Sequence, residues 1–140
     1  MVSLRYVLDT NVLSEPAKPR PNPGIMRSLE IHHQEIATAA PVWHELLFGY
    51  YRLPPSGRRR KLEDFLFQVL APNLSVLPYD SEAAQWHAAE RARLSLAGRT
   101  PPFVDGQIAA IAHVRDLTLV TANTVDYLDF QDLRIESWLE

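Results

Sequence analysis

The chain has 140 residues, a mass of 15.9 kDa and a net charge of −3, with 46% hydrophobic and 22% charged side chains. This composition excludes wholesale disorder, collagen-like repeats and coiled coil, and the charge is not that of a protein coating nucleic acid by bulk attraction. There is no cysteine, so no disulfide, Cys-based zinc site or thiol nucleophile exists, and no apolar run approaches the ~18 residues of a membrane span.

The apolar stretch in MVSLRYVLDTN is too short for a signal-peptide core, so it reads as a first strand, Leu4–Leu8, and the cytoplasm is the expected compartment. Prolines then punctuate the chain at Pro16, Pro19, Pro21 and Pro23, at Pro54 and Pro55, and at Pro101 and Pro102. Such clusters mark loops and helix starts, because proline lacks an amide donor and restricts the residue before it. Between them, Asn22–Gln34 is predicted helical and Glu35–Ala39 a strand. Pro41 stands in the first turn of a helix running to about Tyr51. Arg58–Leu70 is predicted as an amphipathic helix with Leu62, Phe65, Leu66 and Val69 on one stripe. Leu74–Pro78 is a strand, and Ser81 is expected to cap a helix reaching about Ala97. Val104–Arg115 is helical, and Leu117–Thr121 and Leu133–Glu136 are the last strands. Strands alternating with helices predict an α/β domain over residues 1–140, with a parallel sheet covered on both faces.

Charge is unevenly spread. Residues 1–70 carry 9 basic and 7 acidic side chains, whereas residues 71–140 carry 5 basic and 10 acidic, so the second half must use or solvate its acids. In an open parallel sheet, ligands bind beyond the carboxyl ends of the strands. Asp9 follows the first strand directly, Glu45 lies one turn into the helix after the second, and Asn123 and Asp126 follow the strand ending at Thr121. Asp105 opens the helix that leads back into that strand, and so starts at the same edge. Four acids from separate segments thus converge. Asp105 shares a helical stripe with Ile108, Ala109 and Ala112, and Glu45 shares one with Val42, Leu46 and Gly49, so both are expected at the margin of the core.

Acids so placed are costly unless paired or bound to a metal, and no Lys or Arg adjoins any of them in sequence. Oxygen-only ligands suit Mg²⁺ or Mn²⁺. An all-carboxylate divalent site points to phosphoryl-transfer chemistry, here hydrolysis of a nucleic-acid phosphodiester. The run Arg58, Arg59, Arg60 and Lys61, with Arg52 nearby, is the candidate rim for RNA or an acidic partner, although such a run is also an ordinary solvated helix start. Thr10 and Thr121 are placed either to hydrogen-bond the carboxylates or, as hydroxyls at a strand end, to satisfy the backbone there.

The segments LDTNVLSE (8–15), WHELLFGYYRL (43–53), PPFVDGQIAAIA (101–112) and LVTANTVDYL (119–128) resemble, in order, the four motifs of a PIN domain. The likeness is greatest to the VapC/FitB-type toxins of bacterial toxin–antitoxin pairs, and it spans essentially the whole chain. It implies a three-layer sandwich, a mostly parallel central sheet flanked by helices. It also implies a Mg²⁺-dependent ribonuclease with Asp9, Glu45 and Asp105 as core acids. Asp126 matches a fourth acid, and Asn123 a ligand or supporting polar group. The resemblance further implies a cognate antitoxin and a homodimer. Ala122 stands where the pattern usually has Arg, and Tyr127 where it has Phe.

Two other functions fit parts of the pattern. A phosphoaspartate-type phosphatase also places an Asp after its first strand, but it uses a second acid two residues on, where this chain has Asn11, and a later Lys that is missing. A non-catalytic PIN-like module that binds RNA or protein would be expected to lose core acids, and these are present. Asp9 and Asp126 are also readable as a turn cap and a surface acid.

Overall fold

The structure, a computed structural model, describes residues 3–140. Tyr6–Leu8 (β1), Ile36–Ala39 (β2), Ser75–Leu77 (β3), Thr118–Val120 (β4) and Ile135–Glu136 (β5) form one sheet in the order β3-β2-β1-β4-β5. Every neighbouring pair is parallel. The sheet is flanked by helices, which is the α/β architecture expected of parallel strands buried on both faces. β1 sits at its centre with all three residues buried, and its last carbonyl, on Leu8, accepts the buried Thr38 hydroxyl at 2.7 Å.

The helices are Thr10–Leu13 (α1), Pro23–Ile31 (α2), Ala40–Tyr51 (α3), Gly57–Asp64 (α4), Ser81–Leu96 (α5) and Phe103–Val114 (α6). Among the described residues, no helix is long and apolar enough to cross a membrane. In α2, Asn22 lies outside the helix, its side chain accepting from the N–H groups of Gly24 and Ile25, with Pro23 at the first helical position. The helix stops at Ile31, three residues short of the expected end, where His32–Gln34 turn into β2.

Two expectations are corrected locally. α5 is capped by Asp80, whose Oδ1 accepts from the Ala83 N–H at 2.9 Å; Ser81 is already inside the helix. A carboxylate three residues ahead of an orphan amide is as good a cap as a hydroxyl, and here it wins. The predicted stripe over Arg58–Leu70 also breaks. After Asp64 the winding loosens to a π-helical stretch, Phe65–Leu70, in which Leu66 is fully buried but Val69 is 54% exposed. Bonding from i to i+5 changes the turn per residue, so an i, i+3, i+4, i+7 stripe no longer stays on one face.

The core lies between the sheet and α6, where Ile108, Ala109, Ala110, Ile111 and Ala112 are all buried. Small alanines let α6 approach its neighbours closely, and it packs most extensively on α5 and also touches α3. The sheet order reverses at β1. β2 and β3 lie to one side of it and β4 and β5 to the other, so a crevice opens beyond the carboxyl ends of β1 and β4.

Candidate active site

Register builds the centre of the site. Leu8 pairs with Val120, so the next residues, Asp9 and Thr121, emerge side by side into the crevice. The Asp9 N–H continues the ladder to the Val120 carbonyl at 2.9 Å. Its side chain is 8% exposed. Oδ1 accepts from the Thr10 N–H at 2.8 Å, and Oδ2 accepts from Thr121 Oγ1 at 2.9 Å and from the Tyr127 hydroxyl at 3.2 Å. Thr121 Oγ1 itself accepts from the Asn123 N–H at 3.1 Å, which leaves its hydrogen directed at Asp9. Asn123 therefore supports the site through its backbone, and Asn11 does related work by accepting from the Ala122 N–H at 3.3 Å.

Glu45 comes from the second turn of α3. Val42 on its face is buried, but Glu45 itself is exposed, as are Phe48 and Tyr51 further along. The core margin predicted for Glu45 is thus corrected. The outer part of α3 lies at the surface, and its apolar side chains there do not mark the core. Glu45 is instead held from across the crevice, its Oε2 accepting from Thr10 Oγ1 at 2.8 Å. Asp105 stands half-buried in the first turn of α6, above the buried Ile108, Ala109 and Ala112. Asp126 is exposed on a 3₁₀ turn, Thr124–Tyr127, with its N–H bonded to the Asn123 carbonyl.

These four acids share one electrostatic field. Burial first, and then the like charges of Asp9, Asp126 and Glu45, together push the Asp105 carboxyl up to about 6, with the Tyr127 hydroxyl acting against them. Burial, with the charges of Asp9, Asp105 and Asp126, also raises the Tyr127 phenol far above its ordinary value, so it remains a hydrogen-bond donor. Among the described residues, no three His, Asp or Glu side chains close into a ready-made metal-ligand set. The donor chemistry nevertheless fits a hard divalent ion, which commonly keeps several waters and takes only one or two carboxylates directly.

Glu45 and Asp105 line one open groove with His44, Phe48, Tyr79, Val104 and Gln107. No residue of the basic run lines it. Arg58 and Lys61 face a separate recess with Pro16, Ala17, Leu62 and Phe65, and Arg59 lies over the Tyr50 ring at 5.0 Å. Arg52 lies near the acidic groove, stacked 4.7 Å from the ring of Phe48, which lines it. Tyr127 is the residue that sequence reasoning passes over as an aromatic replacement. Its signal is weak but physical, since a tyrosine this deep needs a partner for its hydroxyl.

A family model described as PIN domain matches residues 6–131. The chain belongs to the PIN domain family. This PIN domain is 31% identical over 121 residues to Toxin FitB of Neisseria gonorrhoeae, covering 84% of this chain and 87% of that one. It is 28% identical over 136 residues to the tRNA(fMet)-specific endonuclease VapC of Shigella flexneri, covering 96% and 98%. In three dimensions it is similar to the crystal structure of FitAcB from Neisseria gonorrhoeae, with a TM-score of 0.85, 29% identity and coverage of 93% and 95%. PIN nucleases of the VapC type generally depend on a divalent metal ion.

Proposed function

We propose that this chain is a metal-dependent endoribonuclease, the toxin of a toxin–antitoxin pair, which hydrolyses RNA phosphodiester bonds at the crevice between β1 and β4. The observation that carries this is the convergence of Asp9, Glu45, Asp105 and Asp126 on one crevice, where burial and the like charges of the other three raise the Asp105 carboxyl. Four carboxylates drawn together without a neutralising Lys or Arg cost free energy that a cation recovers. The relatives named as a toxin and as a tRNA-specific endonuclease point to the same chemistry.

Asp9, Glu45, Asp105 and Asp126 would hold one or two Mg²⁺ or Mn²⁺ ions. When bound, a divalent ion supplies charge stabilisation at the attacked phosphate and activates water. The chain's own residues prepare that site. Thr121 and the Thr10 N–H fix the Asp9 rotamer, and the Thr10 hydroxyl fixes Glu45. The buried Asp9 side of the crevice excludes bulk water, whereas the Glu45 side is open to a polymer. Arg52 is the side chain placed to meet an RNA phosphate at that open side. The expected partners are RNA, a cognate antitoxin and a second copy of the chain. The cytoplasm is the compartment where these meet, and one PIN domain accounts for residues 1–140.

Digestion of total bacterial RNA by purified, partner-free protein tests this reading, in Mg²⁺, Mn²⁺ or EDTA and beside Asp105→Asn. Discrete fragments that require metal and vanish in the variant are expected. Cleavage that survives EDTA or the substitution overturns the site. Metal binding without cleavage favours a non-catalytic binding module.

A further inference from the structure

We propose that Tyr127 is a positioning residue of this site, its phenol hydroxyl locking the Asp9 carboxylate into the single orientation in which one oxygen is offered to a cation. The inference rests on the metal-site reading above and extends it to a group outside the four acids.

A carboxylate has about four lone-pair positions. In Asp9, Oδ2 spends both of its own, on Thr121 Oγ1 and on the Tyr127 hydroxyl, and Oδ1 spends one on the Thr10 N–H. One position is left, and it is on Oδ1. Without the Tyr127 donor, Oδ2 regains a free lone pair. The carboxylate could then turn about its own axis or present either oxygen to an ion, and the site would lose its preorganisation.

Packing does not explain the hydroxyl. The Tyr127 ring is 2% exposed and lies 6.2 Å from the Phe130 ring, contacts that a phenylalanine would make equally well. The phenol oxygen adds only a buried polar group, which is destabilising unless hydrogen-bonded. Its bond is to the most enclosed of the four acids, at the end of a turn that also carries Asp126. A residue that reaches from the Asp126 turn to Asp9 also ties the loop after β4 to the end of β1, the two sides of the crevice.

The test is Tyr127→Phe in the full chain, freed of any partner. Mn²⁺ affinity is measured calorimetrically without nucleic acid, RNA cleavage is resolved into kcat and KM, and melting is followed in chelator. The expected result is a roughly ten-fold weaker Mn²⁺ affinity and a lower kcat, with KM for RNA little changed and a folded protein. Unchanged Mn²⁺ affinity and kcat in a folded variant, whatever its melting temperature, reduce Tyr127 to a packing residue and overturn the inference. If Tyr127→Phe does not fold, 4-fluorophenylalanine at position 127 keeps the ring and para substituent while removing the donor, and it carries the same outcomes. Wild-type protein that binds no Mn²⁺ overturns the metal-site reading itself, a failure visible before any variant is made.

Discussion

Thr10 donates to two of the acids at once, its N–H to Asp9 Oδ1 at 2.8 Å and its hydroxyl to Glu45 Oε2 at 2.8 Å. One residue at the start of α1 thereby couples the end of β1 to the second turn of α3, 35 positions later. Glu45 is exposed and has rotamer freedom to lose, so the hydroxyl matters more for its orientation than for the fold. Thr10→Val should lower RNA cleavage roughly ten-fold while changing stability by less than about 1 kcal/mol, and Thr10→Ser should restore most of the activity. Cleavage rates and denaturation of the two variants check this. Full activity in Thr10→Val would show that Glu45 needs no anchor.

The raised Asp105 carboxyl gives the metal-free protein a pH dependence of definite sign. A carboxyl whose folded-state value lies near 6, against 3.8 for the free side chain, binds its proton more tightly when folded. Its contribution is fully present below about 3.8 and is lost as pH rises through 6. At pH 7 the ionised group therefore works against folding, by an amount that solvent screening at this half-buried position keeps below the ~3 kcal/mol that about 1.4 kcal/mol per pH unit would give. Asp105→Asn mimics the protonated form. With chelator present it should melt above wild type at pH 7, by a margin that shrinks at pH 5. Equal melting temperatures at pH 7 would show that neither burial nor the neighbouring carboxylates penalise the ionised Asp105.

A divalent ion should reverse that penalty. Binding to the folded state alone stabilises by about 2.7 kcal/mol at a hundred-fold excess over Kd. Protons compete with the ion for Asp105, so the rise in melting temperature on adding Mn²⁺ should be larger at pH 7 than at pH 5 and should be much reduced in Asp105→Asn. Thermal melts across a Mn²⁺ titration at the two pH values decide it. A rise of the same size at both pH values, retained in the variant, would place the ion elsewhere.

Much of this was legible in the chain itself. Alternating strand and helix signals are long-range regularities, and they survive errors of a residue or two at each end. The convergence of Asp9, Glu45 and Asp105 needed only the rule about strand carboxyl ends. What could not be read were features decided by three or four residues. α1 is one turn of TNVL, too short for any periodicity, yet it delivers Thr10 to both acids. The cap of α5 falls to Asp80 because two adjacent residues are both good caps, and only geometry separates them. Glu45 was misplaced because its stripe of Val42, Leu46 and Gly49 implies a core margin, whereas the outer part of α3 that carries it, with Phe48 and Tyr51, is exposed. Tyr127 escaped for the converse reason. A buried aromatic reads as packing until the β1–β4 register shows what its hydroxyl meets. The basic run at Arg58–Lys61 is plain in sequence, but a cluster of charges says nothing of which recess it will face.

The start of α6 is set by a contact from behind the site. A Cβ added to Gly106 would overlap the imidazole of His87, which is 3% exposed. That ring cannot retreat. Its Nδ1 is bonded to the Tyr79 hydroxyl at 2.8 Å, and the Phe103 ring lies 4.8 Å away. Burial pushes the imidazole down in pKa, so it stays neutral in this enclosed position. Gly106→Ala would stabilise an unconstrained helix by about 1 kcal/mol. Here the overlap should outweigh that gain, destabilising the protein by about 1–3 kcal/mol and displacing the turn that carries Asp105, with loss of cleavage. Adding His87→Ala to Gly106→Ala removes the obstructing ring, so the two changes should be non-additive, the double variant being more stable than the sum of the single effects. Denaturation of the three variants measures the coupling. Additive effects, or a Gly106→Ala variant more stable than wild type, would mean that His87 does not set the position of Asp105.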